Sequence, residues 1–207
     1  MPSKPNSIIS KLFPTCHRLL LEKHLKRELP KLKGSVLVVG AGYDPYRGLL
    51  KNSETIITTD IEDSAGNIDV VCDITKMPFD AGSFDTVVAV EVLEHIESLP
   101  EAFSEMHRVL KQDGTLLYST PFMFHIHGDP DDYSRLTLSG HRKILKDKFA
   151  ETQIIGYGNR FHVIYDLITT MTRLFVFFRL FSHFLAFFLP FSSKRSPSGY
   201  IVNCKKC

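Results

Sequence analysis

Short runs of β-branched and aliphatic residues alternate along this chain with stretches whose apolar positions recur every three or four residues. SVLVV at 35–39 is a compact apolar run of the kind that forms a strand buried on both faces. ETIITTD (54–60), NIDVVCD (67–73), FDTVVAVEV (84–92), TLLYST (115–120), ETQIIGY (151–157) and GYIVNC (199–204) read as further strands. CHRLLLEKHLKREL (16–29) reads as a basic amphipathic helix closed by Pro30. Residues 97–111 predict a second helix, with Ala102, Phe103, Met106, Val109 and Leu110 at helical spacing, and QDG at 112–114 turns the chain into the next strand. LTLSGHRKILKDKF (136–149) predicts a third. Strands alternating with helices imply an α/β fold with a mainly parallel sheet and right-handed crossovers. Such sheets bind ligands at the carboxyl ends of their strands, beside the point where strand order reverses.

Composition narrows the class. With 207 residues, 43% hydrophobic and 23% charged, the chain reads as one globular domain with an appendage. A net charge of +2 argues against a nucleic-acid partner. Four scattered cysteines form no disulfide framework and fit a reducing compartment. The first 15 residues lack a continuous apolar run, so no secretory signal is expected and a cytoplasmic location is. The averages hide segregation. Residues 1–34 carry eight Lys and Arg against two Glu, leaving the rest of the chain acidic. Nine of the sixteen Phe fall within 161–191.

The strand ends carry the candidate chemistry. Gly40-Ala41-Gly42 follows the first strand, and paired glycines let the backbone turn sharply and approach a ligand. Asp60 ends the second strand, where a carboxylate can accept from both ribose hydroxyls. The plainer readings are a tight turn and a helix cap or surface Asp. A dinucleotide fingerprint would set a third Gly or Ala at position 45, but Pro45 stands there and removes a backbone donor, which disfavours a nicotinamide dinucleotide. A cofactor with adenosine and no phosphate, such as S-adenosylmethionine, fits better. Asp73 ends the third strand and can accept from an adenine amino group; a turn aspartate is the alternative.

VLVVGAGYDPYRGLL, ITTDIE, VVCDITKMPFDAGSFDTVVAVEVLEHI and EMHRVLKQDGTLLYSTPF, taken together, resemble the class I S-adenosylmethionine-dependent methyltransferases, type 11 family. The resemblance covers most of the chain and fails at 1–30 and 161–195. It implies a Rossmann-like three-layer sandwich, mostly parallel, whose final strand GYIVNCKK inserts antiparallel into the same sheet. It further implies that the loop of Gly40, Gly42 and Tyr43 cradles the methionine part, that Asp60 binds ribose, that Asp73 and Ile74 border adenine, and that Glu91 lines the cofactor from the fourth strand. One departure stands out: the family's acidic residue two before the first glycine is Val38 here, with Asp44 as a nearby substitute.

The segment PFMFHIHGDPDDYSRLT (121–137) follows the fifth strand and should overhang the methyl-bearing end of the cofactor. His127, Pro130, Asp132, Tyr133, Arg135 and Thr137 match a segment of some family members associated with glycan or cell-envelope substrates. A hydroxyl acceptor profits from a general base, and a histidine suits that role. His127 is the first candidate and His125 the second. Asp132, Tyr133 and Arg135 are expected to contact substrate, or else to pin the loop by hydrogen bonds. His125, His127 and Asp129 also have metal-ligating side chains, but the family needs no metal and none is expected. His95 reads as structural or as lining the cofactor. Cys204 and Cys207 lack a second pair and read as a strand end and tail.

Residues 161–191 contain no Gly and only Asp166, Arg173 and Arg179 as charges. The longest charge-free stretch, Leu180–Phe191, is too short to span a bilayer. On a helical wheel Thr172, Arg179 and His183 fall near one line, which fits a helix lying in the membrane plane. A single crossing would also put the last strand on the far side of the membrane. A buried helix pair and a dimer interface are the competing readings. The expected organisation is a basic helical segment (1–34), the methyltransferase domain (35–160), an apolar helical insertion (161–195) and a last strand with tail (196–207). The expected function is methyl transfer from S-adenosylmethionine to a hydroxyl or amine of a small-molecule, glycan or lipid-linked acceptor at a membrane surface. The alternative is a non-catalytic binding module on the same fold.

Overall fold

The computed structural model describes residues 13–42, 46–64, 66–127, 131–171, 178–189, 192 and 195–207. Seven strands form one sheet in the order β3-β2-β1-β4-β5-β7-β6. They are β1 (Gly34–Val39), β2 (Ser53–Asp60), β3 (Val70–Val71), β4 (Phe84–Val90), β5 (Leu110–Pro121), β6 (Phe149–Tyr157) and β7 (Gly199–Lys206). β1 runs parallel to β2 and β4, and β4 parallel to β5, while β7 is antiparallel to both β5 and β6. The order reverses between β1 and β4, so the ligand crevice of an open α/β sheet lies at their carboxyl ends.

Period-two alternation sorts the two faces. Leu37 and Val39 of β1 face a core with Val87, Ala89, Leu116, Tyr118 and Val202, covered by Ala102, Phe103 and Met106 of α2 (Leu99–Val109) and Leu145 of α3 (Leu138–Leu145). Val36 and Val38 face the other way, into a core with Val88, Leu117 and Ile201. That face is covered by Leu20, Leu21 and Leu25 of α1 (Cys16–Glu28). The layers are helix, sheet, helix, a Rossmann-like sandwich with an antiparallel last strand. The basic helix therefore seals half of the core with its apolar side and leaves Lys23, Lys26 and Arg27 exposed.

Several expected bounds shift. The third strand, expected over 67–73, is only Val70–Val71, because Thr58 engages Asp69 through both its backbone N–H (2.8 Å) and its hydroxyl (2.8 Å) before the ladder starts. The fourth strand stops at Val90, since Glu91 adopts φ 54, a left-handed conformation that ends the ladder. The third helix begins at Leu138, with the Thr137 hydroxyl accepting from Gly140 N–H (3.1 Å) as its cap.

The apolar segment is not one continuous helix. α4 (Arg160–Met171) and α5 (Ser182–Phe188) lie between β6 and β7, with a short 3-10 turn leading into α5. Thr172 and Arg173 lie outside the described residues; Arg179 lies in the 3-10 turn and His183 in α5, so a single helical wheel does not hold across them. α4 is amphipathic in an inverted sense. His162, Asp166 and Thr169 face the protein, while Phe161, Ile164, Ile168 and Met171 face outward. Asp166 explains the inversion. Its carboxylate accepts the backbone N–H groups of Cys16 and His17, each at 2.8 Å, and so caps the first turn of α1. In α5 the small residues Ser182 and Ala186 face inward, while Phe184, Phe187 and Phe188 face outward. Among the described residues no helix is long and apolar enough to cross a membrane.

Beneath β5, His141 is wholly buried, 2.8 Å from the Tyr118 hydroxyl through Nδ1 and 3.4 Å from Thr120 Oγ1 through Nε2. Burial pushes its pKa down to about 4. The unfolded chain takes up this proton near pH 6.5 and the folded chain only near pH 4, so the associated stability is present above 6.5 and lost between those values. Urea unfolding of the His141→Gln variant should show a shallower loss of stability across that acid window, the histidine's share being of order 3 kcal/mol at most. An acid loss equal to that of the parent chain would refute the assignment.

Candidate active site

The β1 carboxyl end is built around two glycines in left-handed conformations, Gly40 (φ 61) and Gly42 (φ 55). A Cβ on Gly40 would stand 2.3 Å from Val92, so this position is fixed by close packing. A Cβ on Gly42 would meet nothing within 4 Å, so this glycine fronts open space. Asp60, at the end of β2, draws the loop in by accepting Gly42 N–H through Oδ2 (2.8 Å), and its Oδ1 accepts the Ile61 N–H (2.7 Å). Each carboxylate oxygen keeps a second lone pair for an incoming hydroxyl. Thus Gly40, Gly42 and Asp60 are brought together, facing the crevice. Tyr43, Asp44 and Pro45 lie outside the described residues. Asp73 uses Oδ1 to accept the backbone N–H and hydroxyl of Thr75, both at 2.8 Å, forming a turn, and Ile74 is buried in the core beside it. Val38 is likewise a core residue, packed with Val88 and Leu117.

Glu91 sits at the β4 end with its carboxylate already engaged. His17 of α1 donates to Oε2 (2.9 Å) and the Ser119 hydroxyl donates to Oε1 (2.8 Å). The facing His17 ring and the Ser119 hydroxyl hold its carboxyl below the ordinary range despite its burial. His17 also stacks on Phe124, with ring centroids 4.5 Å apart. Sequence reading missed His17, which carries no local motif; it is recruited only because Asp166 fixes the helix start.

The loop after β5 is pinned mainly by its own side chains. Asp132 forms a two-pronged pair with Arg135 and accepts the His127 N–H (3.0 Å). The Tyr133 N–H donates to the Glu94 carbonyl (2.8 Å), and its ring is half-exposed. His125 and His127 are adjacent, their centroids 5.9 Å apart. Burial pushes His125 down to about 4 and lowers His127 as well. Both rings are therefore neutral at physiological pH. Glu94, on the turn after β4, is fully buried. Burial and the nearby Glu91 carboxylate push its pKa up to about 9. Asp129 and Pro130 lie outside the described residues. A surface depression lined by Lys33, Asp85 and Asp113 lies at the opposite, amino-terminal edge of the strands, away from this chemistry.

The family model for a methyltransferase domain matches residues 37–118. Over these residues, about two-fifths of its length, the chain is similar to the class I S-adenosylmethionine-dependent methyltransferases of type 11. The biotin biosynthesis bifunctional protein BioHC of Saccharophagus degradans is 43% identical over 51 residues, 25% of this chain and 9% of that protein. The malonyl-[acyl-carrier protein] O-methyltransferase of Legionella pneumophila is 41% identical over 51 residues, 25% of this chain and 18% of that protein. The chain thus spans under a fifth of the length of these curated relatives. Among solved structures, an S-adenosylmethionine-dependent methyltransferase from Archaeoglobus fulgidus superposes with TM-score 0.65 at 17% identity, covering 98% of this chain and 100% of that one. The fold likeness extends over nearly the whole chain at low identity, while these two curated relatives match a quarter of it.

The cofactor of this family is S-adenosylmethionine, and the β1–β2 crevice fits it: a glycine cradle with space in front and a carboxylate with spare lone pairs. Asp60→Ala should weaken S-adenosylmethionine binding in calorimetric titration by roughly 1–3 kcal/mol, since the ribose hydroxyls lose their acceptor. Unchanged affinity would exclude the ribose role.

Proposed function

We propose that this protein transfers the methyl group of S-adenosylmethionine to a hydroxyl or amine of a small, glycan or lipid-linked acceptor held at a membrane surface. The observation that carries the reading is the joining of Gly42 to Asp60 at the switch point of a methyltransferase sheet. We assign Gly40, Gly42 and Tyr43 to the methionine part, Asp60 to ribose, Asp73 and Ile74 to the adenine edge, and Glu91 to the rim from β4. When bound, S-adenosylmethionine supplies an electrophilic methyl carbon on a sulfonium. Held by Gly40, Gly42 and Asp60, it would supply that methyl group to an acceptor hydroxyl or amine and leave as S-adenosylhomocysteine, the acceptor's proton passing to His127. Such a displacement depends chiefly on alignment. Asp132, Tyr133 and Arg135 shape the acceptor side of the loop, and His127 acts on the acceptor's nucleophilic atom, with His125 beside it.

The two curated relatives overlap this chain over only 51 residues, so they support the cofactor half of the reading. The malonyl-[acyl-carrier protein] O-methyltransferase activity in one relative's name stays with that protein. For the acceptor's setting, support comes from the inverted helices. Phe161, Ile168, Met171, Phe184, Phe187 and Phe188 all present their rings or side chains outward. Lys23, Lys26 and Arg27 are exposed on α1, which packs against both helices. Apolar side chains beside exposed cations match an anionic lipid surface better than water.

Two measurements test the reading. With a productive acceptor, the chain should release S-adenosylhomocysteine, and His127→Ala should lower turnover by roughly 100-fold, within the ordinary range for a lost acid–base group, with cofactor affinity retained. Cofactor binding without turnover on any acceptor class would instead favour a binding module. The chain should also sediment with anionic vesicles, and a Phe184→Ser, Phe187→Ser, Phe188→Ser triple variant should stay in the supernatant. Equal sedimentation of parent and variant would remove these helices from the membrane contact.

A further inference from the structure

Glu94 is the least satisfied polar side chain of the crevice. It is 0% exposed, and neither carboxylate oxygen has a hydrogen-bond partner. A buried polar group left unpaired is costly, and a ligand that engages it removes that cost. Two imidazoles face it. His95 Nε2 lies 3.7 Å and His127 Nε2 3.9 Å from Glu94 Oε1. These are too long for hydrogen bonds, yet one ligand atom from each of the three residues falls within 4.8 Å of the others.

The outer contacts orient both rings. His95 Nδ1 is hydrogen-bonded to the Asp131 carbonyl, which requires the proton on Nδ1 and leaves the Nε2 lone pair free. His127 Nδ1 faces Asp132 Oδ2 at 3.5 Å, and Asp132 is itself held by Arg135. Carbonyl or carboxylate behind imidazole is the usual support of a metal-bound histidine. The rings stand nearly perpendicular, at 87°, with centroids 5.2 Å apart, so both present Nε2 without stacking.

We propose that Glu94, His95 and His127 bind a divalent transition-metal ion, zinc being the ion that two imidazoles and one carboxylate fit best, with one position left open toward the acceptor. Tetrahedral zinc with bonds of about 2.0–2.1 Å has ligand edges of about 3.3–3.4 Å, so the two Glu94–imidazole edges of 3.7 and 3.9 Å must shorten by about half an ångström, and the imidazole–imidazole edge, within 4.8 Å, closes by rotation of the His127 side chain. The oxygen-preferring ions magnesium and calcium match two nitrogens poorly. The role in turnover rests on the methyltransferase reading; the ion site does not. An acceptor hydroxyl on the open position would lose its proton to water more readily, and its oxygen would then take the methyl group as the carbon–sulfur bond breaks toward sulfur. In this scheme His127 acts on the acceptor by holding the ion rather than by taking a proton, which revises the expectation of a metal-free site.

The full-length chain, stripped with chelator, should take up one zinc ion per chain in calorimetric titration, and cobalt(II) should compete for it. Glu94→Gln keeps the side-chain shape and should weaken uptake roughly 100-fold; His127→Ala, in a surface loop, should do the same, with thermal melts reporting folding. Absence of stoichiometric uptake, or equal uptake by both folded variants, would overturn the site. S-adenosylmethionine titrated into the same samples separates the two readings. Cofactor binding without zinc uptake removes the ion site alone. Glu94-dependent zinc uptake without cofactor binding upholds the ion site and removes the methyltransferase reading.

Discussion

The carboxylate of Asp166 ties the first helix to the chain's later helical segment beside the crevice. It lies in α4, almost wholly buried, and accepts the first two backbone N–H groups of α1. A helix start buried without such acceptors would leave its donors unpaired. Because the cap is provided from 150 residues away, α1 is locked against α4 with a defined rotation. That rotation points His17 at Glu91, and Glu91 is thereby fixed in a left-handed conformation at the end of β4. Strain of this kind persists only where surrounding contacts hold it, and here His17 and Ser119 do so.

From that constraint the rest of the crevice follows. His17 carries Phe124 by stacking, and Phe124 lies against both His125 and His127. The loop after β5 is thus set from below by α1 and from within by Asp132 and Arg135. Turning Asp166 inward also turns the apolar positions of α4 outward. One buried carboxylate therefore orients this side of the crevice and gives the molecule an apolar outer surface next to its exposed cations.

The two halves of the crevice differ in how far they could be read from the chain. Gly40, Gly42 and Asp60 lie on consecutive strands, and their roles depend on strand ends that apolar runs mark clearly. Residues bounding β3 were harder, since Asp69 pairs with Thr58 through side-chain hydrogen bonds that no period reveals. His95 and His127 read as separate features in the sequence, and nothing in the sequence pattern singles out Glu94. Only the parallel pairing of β4 and β5 sets the three side by side. The helical wheel failed over 161–191 because it assumed one axis where the chain forms two helices.

Local pattern by itself determined the alternating elements and the parallel sheet, and marked the strand ends where Gly40, Gly42 and Asp60 meet, because strand and helix periods are properties of neighbouring residues. The resemblance in the glycine loop and the fourth-strand motif added the antiparallel last strand. Tertiary structure decided what His17, Glu94 and Asp166 do and which face of α4 looks outward. Those outcomes depend on burial and on hydrogen-bond partners distant in sequence. An amphipathic pattern says that a helix has two faces; only the buried capping demand of another helix says which one turns in.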